Sequence, residues 1–235
     1  MSDDVATNAA ANRRAELRRR RVGVAGHRGD PAAARRGLGD PEARVQVAAL
    51  GALARLGELR TTDVLAALDS PEVTVRRRAA EAAVTVRGRG SRSALPAALL
   101  HALDDPDALV VVEAAWFLAE RGYRPAVPAL ARIATAHGDT RCREGAVAAL
   151  GAIGDPAGLP AVLAALADKP TVRRRATVAL AGFDDPRVEP ALRDAAEDRD
   201  WQVRQAADEL VDDPVDRDDP GDAGDAASGG LSRPE

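Results

Sequence analysis

Residues 40–57 read DPEARVQVAALGALARLG, and residues 70–86 return to the same pattern as SPEVTVRRRAAEAAVTV. In the first stretch Val45, Ala49, Ala52, Leu53 and Leu56 fall three and four residues apart, the spacing that draws one apolar stripe along an α-helix. An Asp-Pro or Ser-Pro pair opens each run. The oxygen of such a side chain can accept the orphan N–H groups of a first helical turn, and proline loses no hydrogen bond there. The spacing therefore predicts helices capped at Asp40 and Ser70. Gly57, and further on Gly122 and Gly154, read as helix stops in the left-handed conformation that glycine adopts cheaply.

The same start recurs along the chain. Asp105-Pro106 leads to Val110-Val111, Asp139 precedes Cys142-Arg143, Pro170 precedes Val172-Arg173, and Asp200 precedes Val203-Arg204. The second residue of each pair falls at 46, 76, 111, 143, 173 and 204, at intervals of 30, 35, 32, 30 and 31 residues. A period this narrow marks one supersecondary unit repeated. Between copies lie shorter amphipathic runs such as TTDVLAALDS at 61–70 and PAVPALARIATAHG at 125–138. Each unit is thus a short helix followed by a long one: 31–38 with 41–56, 61–68 with 71–86, 94–103 with 106–121, 125–136 with 139–153, 156–166 with 170–182, and 186–196 with 199–211. One such hairpin cannot bury its apolar faces alone, so the hairpins must stack. Ala49, Ala79, Ala114, Ala146, Ala176 and Ala207 share one position and are expected where neighbouring helices approach closely.

Composition agrees. Of 235 residues 46% are apolar but only 2% aromatic, so the core is built from alanine, leucine and valine in closely packed helices. No run of about 18 apolar residues predicts a membrane span, and the N-terminus lacks the apolar core of a secretory signal. Cys142 is the only cysteine, which excludes an internal disulfide framework and a cysteine-based zinc site and makes the cytoplasm the default location. The net charge of -4 is uneven: residues 1–21 carry six arginines against three acids, and residues 212–235 carry eight acids against two arginines. The expected organisation is a disordered N-terminus at 1–11 and a repeat domain at 12–211 that begins with an arginine-rich capping helix. A disordered acidic tail at 212–235 completes the chain, since it has no apolar period.

The Asp-Pro…Val-Arg…Ala…Ala-Leu-Gly pattern resembles HEAT repeats, in particular the short bacterial HEAT-like units named after phycobilisome lyases. The resemblance covers roughly residues 31–211. It implies an all-α, right-handed α-α superhelix, an armadillo-like solenoid of about six hairpins. It also implies that the shared arginine (Arg76, Arg143, Arg173, Arg204) bonds acidic or carbonyl groups in the preceding turn and in neighbouring units. The long helices would line the concave side, with the residues one, two and five places beyond the shared position facing outward.

Those positions supply the candidate partner-binding residues Arg77, Arg78, Glu81, Glu113, Trp116, Glu144, Arg174 and Arg175. Trp and Arg are the residue types that most often anchor interfaces. Trp116 has two open readings: a groove residue, or, with Phe117, a filler of a wide inter-repeat gap beside Tyr123. Trp201 is expected to shield the last repeat. The expected function is non-enzymatic scaffolding of a protein partner by a monomer, with no cofactor. The alternative is a nucleic-acid-binding or enzyme-accessory role with Arg77, Arg78, Arg174 and Arg175 on phosphates; nucleic acid is disfavoured because the centre of the chain is near neutral and Glu81, Glu113 and Glu144 interrupt the arginines. His27, His101 and His137 are isolated, without the His-Glu pairs that di-iron hydroxylases built from similar repeats require. No P-loop, G-x-S-x-G or G-x-G-x-x-G is present. Nothing in the residues argues specifically for a bilin.

Overall fold

The computed structural model describes residues 2–87 and 94–211. Every regular element among them is helical. A long first helix, α1 (Ser2–Arg28), is followed by six hairpins of a short and a long helix. These are α2 (Pro31–Arg36) with α3 (Ala43–Leu56), α4 (Thr61–Leu68) with α5 (Val73–Ala82), and α6 (Ala94–Ala102) with α7 (Ala108–Glu120). The series continues with α8 (Val127–Ala136) and α9 (Thr140–Ile153), α10 (Leu159–Ala165) and α11 (Pro170–Ala179), then α12 (Val188–Ala196) and α13 (Trp201–Val211). Long helices pack on long helices in chain order, α1 on α3 through to α11 on α13, while α4 meets α6 and α8 meets α10. The result is a two-layered all-α solenoid.

All six alanines at the shared position are fully buried, as is the valine or cysteine that opens each long-helix stripe. Three of the expected stops adopt positive φ: 68° at Gly57, 54° at Gly122 and 64° at Gly154. At Gly57 the next amide, of Glu58, donates to the Leu53 carbonyl at 2.9 Å, which closes the helix end. Gly151 and Gly182 mark the tightest approach in the stack, since a Cβ on Gly151 would stand 2.6 Å from that of Ala179.

Three expectations change. Asp40 and Ser70 do not cap α3 and α5, whose N-caps are Glu42 and Glu72. Asp40, Ser70, Asp105 and Asp198 instead accept the amide two residues on, at 3.0, 3.2, 2.8 and 2.7 Å, forming the turn that carries the chain from short helix to long. The N-terminal helix begins at Ser2 rather than at residue 12. Alanine-rich sequence favours that extension. Trp201 is 62% exposed and shields little. The acidic tail expected at 212–235 lies outside the described residues.

Candidate functional site

The shared arginines are structural. Arg76 grips Asp105 with two bonds of 2.7 and 3.1 Å and donates to the Ser70 and Pro71 carbonyls. Arg143 holds Asp168 at 2.6 and 2.8 Å and the His137 carbonyl at 2.8 Å. Arg173 holds Asp198 at 2.8 and 2.7 Å and the Asp168 carbonyl at 2.9 Å. Each bond set ties one long helix to the turn that starts the next. Arg18 on α1 makes the same pair with Asp40, at 2.7 and 3.1 Å. Arg18 therefore sets the register of α1 as one more long helix, a role that its unrelated flanking sequence hides. Asp40, Asp168 and Asp198 are held below the usual carboxylate range, chiefly by these guanidinium groups.

With the arginines fixing register, the residues one, two and five places further on share one side of the long-helix layer, which the resemblance to HEAT repeats makes the inner face. On α1 these are Arg19, Arg20 and Gly23; on α3, Val47, Ala48 and Gly51; on α5, Arg77, Arg78 and Glu81. Eight of the nine, all but Arg77, line one shallow open depression of about 490 Å³, with Arg55 at its edge. An adjoining hollow of about 360 Å³ adds Arg44 and Thr74 to Arg19, Val47 and Ala48. Gly51 makes room for an arginine, since a Cβ there would stand 2.9 Å from the Arg78 guanidinium, whereas a Cβ on Gly26 would first meet the Cβ of Ala52, at 2.8 Å.

The eight candidate residues divide. Arg77 is engaged by Asp107, the N-cap of α7, whose carboxyl it brings down to about 2. Arg77 is thereby tied to the helix start rather than held free. Arg78 pairs with Glu81 at 2.6 Å, and Arg175 reaches Glu144 across the α9–α11 boundary at 3.5 Å. Arg174 is exposed and makes no ion pair among the described residues. Glu113 is half-buried on α7 and has no ion-pair partner among the described residues; burial, and then the nearby charge of Glu81, push its carboxyl up. Trp116 lies one turn further along the same face and is 49% exposed, whereas Phe117 is wholly buried under the Arg121 guanidinium, 4.9 Å above its ring. The two readings of this aromatic pair thus separate by residue: Phe117 fills the core and Trp116 faces outward.

The inner face runs in bands: arginines of α1 and α5 on either side of the small residues of α3, acids with Trp116 across α5, α7 and α9, and arginine again on α11. The α1–α3 part was not among the expected site residues. Its signal was available, because the one-two-five spacing applied from position 46 gives Val47, Ala48 and Gly51, but their small apolar side chains drew no attention. Cys142 is buried, and desolvation raises its thiol to about 11. Among the described residues no three His, Cys, Asp or Glu side chains are placed to share a metal ion, and no helix is long and apolar enough to cross a membrane.

Comparison with known proteins places this geometry. The family model for HEAT repeats matches residues 96–178 and 167–209. No curated protein matches the sequence. Among solved structures, the complex of CpcE and CpcF of phycocyanin lyase from Nostoc sp. PCC7120 is 23% identical, with 75% of this chain and 74% of that one covered and a TM-score of 0.57. YibA of Escherichia coli is 20% identical, with 73% and 66% covered and a TM-score of 0.56. A designed armadillo repeat protein in complex with the peptide (KR)4 is 17% identical, with 77% and 98% covered and a TM-score of 0.57. At these identities the likeness is one of fold.

Proposed function

The chain is a HEAT-repeat protein, and on that footing we propose that it is a non-enzymatic scaffold that holds a segment of a protein partner against its inner face. The observation that carries the reading is Trp116 standing half-exposed at the centre of that face, one helical turn from the half-buried Glu113, which has no ion-pair partner among the described residues. A tryptophan in water and a carboxylate partly out of it are both costly when left alone. A partner that covers the ring and brings a cation or hydrogen-bond donor to Glu113 relieves both. The designed armadillo protein, which holds a peptide, supports the use of this fold for an extended segment. Glu81, Glu144, Arg78, Arg174 and Arg175 flank the centre and would set the charge order of that segment. The chain acts in this reading as a cytoplasmic monomer without a cofactor.

Affinity capture with the full chain tests it. The wild-type chain should retain a partner that the Trp116→Ala, Glu113→Arg variant releases. Equal retention by both removes this face from the account. Phosphate binding is the second reading. It draws support from the arginine-rich band, but Arg77, Arg78 and Arg175 already have carboxylate partners. A mobility shift at about 50 mM salt, where phosphate contacts are strongest, separates the two readings.

A further inference from the structure

The long helices stack in one fixed register, which can be counted from the shared position at 18, 46, 76, 111, 143, 173 and 204. The residue eight places on meets the residue six places on in the next long helix: a Cβ on Gly26 would stand 2.8 Å from that of Ala52, and one on Gly151 2.6 Å from that of Ala179. Val22, four places on in α1, and Ala49, three places on in α3, converge beside Gly37, at 2.8 and 3.0 Å from where its Cβ would be. Five places on meets two places on, as Gly51 meets Arg78. Against the α2–α3 hairpin α1 buries Ala15, Val22 and Ala25, and α13 leaves exposed their counterparts Trp201, Asp208 and Val211. The converse holds too. Against α11 and α12 the last helix buries Val203 and Ala207 and half-buries Leu210, and α1 leaves exposed their counterparts Leu17, Arg21 and Val24. We propose that a second copy of this chain completes both faces, with α13 of one protomer lying on α1 of the next in the register that the long helices keep within the chain.

Charge favours this pairing over the others. Carried across the junction, the register sets Asp208 beside Arg21 and Glu209 beside Arg20 of the next copy. Neither Asp208 nor Arg21 makes an ion pair among the described residues, while Arg20 shares the carboxylate of Glu16 with Arg19. The surroundings agree: residues 10–39, through α1 and α2, contain nine arginines and two acids, and residues 188–211, through α12 and α13, contain seven acids and three arginines. Two α1 faces would bring Arg14, Arg21 and Arg28 against their own copies, so like ends repel and unlike ends attract. The apolar side chains point the same way. The outer face of a terminal repeat is ordinarily polar, whereas Leu17 and Val24 at one end and Trp201 and Val211 at the other are large, apolar and exposed. One layer of helix contact is a small interface, below about 1,200 Å², so it forms and parts with concentration. Being head to tail, it leaves one open face of each kind on every assembly, which therefore grows beyond a pair. Trp116 and Glu113 stay uncovered, so this inference does not rest on the partner reading, and the monomer of that reading is the unit that associates.

Sedimentation velocity of the full chain, from about 5 to about 500 μM, tests it. At low salt the weight-average mass should rise with concentration from the 24.5 kDa of one chain past that of a pair. The rise should shrink at about 0.5 M salt, where charges act over only a few ångströms. Arg21→Glu alone and Asp208→Arg alone, both at exposed positions, should each keep the helical circular dichroism and stay at the mass of one chain. Mixing the two variants, or joining both changes in one chain, should restore growth. Trp116→Ala should leave growth unchanged, which keeps failure here distinct from failure of the inner-face reading. A wild-type chain that stays at one-chain mass throughout overturns the proposal. So does growth that stops at a pair, a single charge variant that associates as the wild type does, or association lost with Trp116→Ala.

Discussion

At the scale of single residues, the stack is fastened by arginines that serve two neighbours at once. Arg173 has a side-chain exposure of 5% and makes two bonds to Asp198 and one to a carbonyl. Removing one member of so buried a pair strands the other, at a cost of about 3 kcal/mol. Arg204 sits at the same position on the last long helix and, among the described residues, holds only the Asp198 carbonyl, at 2.8 Å, so its loss should cost about 1 kcal/mol. Urea unfolding of Arg173→Ala and Arg204→Ala measures the difference, and equal losses would deny the arginines this role. The carboxylates bear on pH in the same way. A carboxyl held low in the folded state stabilises it above the unfolded value near 4 and loses that contribution as pH falls through the folded value. With Asp107 at about 2 and Asp40, Asp168 and Asp198 also lowered, stability should be level above pH of about 5 and decline between about 4 and 2. Glycines give a second contrast. A methyl on Gly151 meets the Cα and Cβ of Ala179, which cannot move aside, whereas on Gly51 it meets the end of the Arg78 side chain. Gly151→Ala should cost about 1–3 kcal/mol by overpacking. Gly51→Ala should be neutral or slightly stabilising, because alanine gains about 1 kcal/mol in a helix; calorimetry of both variants decides it.

At the scale of elements, the hairpin period was legible because the stripe positions are under one packing constraint. Ala49 and its five counterparts had to be small, and all are buried. Cys142 was read as a valine equivalent, and the structure places it in the core with its thiol 3.6 Å from the Ala108 carbonyl. Cys142→Val should therefore shift stability by less than about 1.5 kcal/mol. Alkylation of the native protein should be slow and follow unfolding; rapid modification under native conditions would contradict the assignment. What the sequence concealed had equally local causes. The Asp-Pro pair looked like a helix cap because a cap and a turn ask for the same oxygen acceptor, and only the position of the next helix separates them. The α1 register was hidden because Arg18 keeps the arginine but lacks both the proline start and the small residue that follows. Leu17 and Val24 occupy positions buried in the other long helices down to α11, yet they are exposed on α1. Arg77 looked free because nothing local announces that the third repeat carries a second aspartate, Asp107, in reach of it.

At the scale of the whole molecule, the fold was readable and the face it presents was readable only in part. Repetition fixes which side of every long helix points inward, but the charge bands on that side come from positions that vary between copies, and no period encodes them. Trp116 is the inner-face residue whose environment a partner must change, and a solution measurement can isolate it. With Trp201→Phe, Trp116 is the sole tryptophan left in the chain. When the captured partner is bound, its emission should move to the blue and its quenching by acrylamide should fall. A partner bound at one-to-one stoichiometry that leaves both unchanged would contradict the inner face as the binding surface.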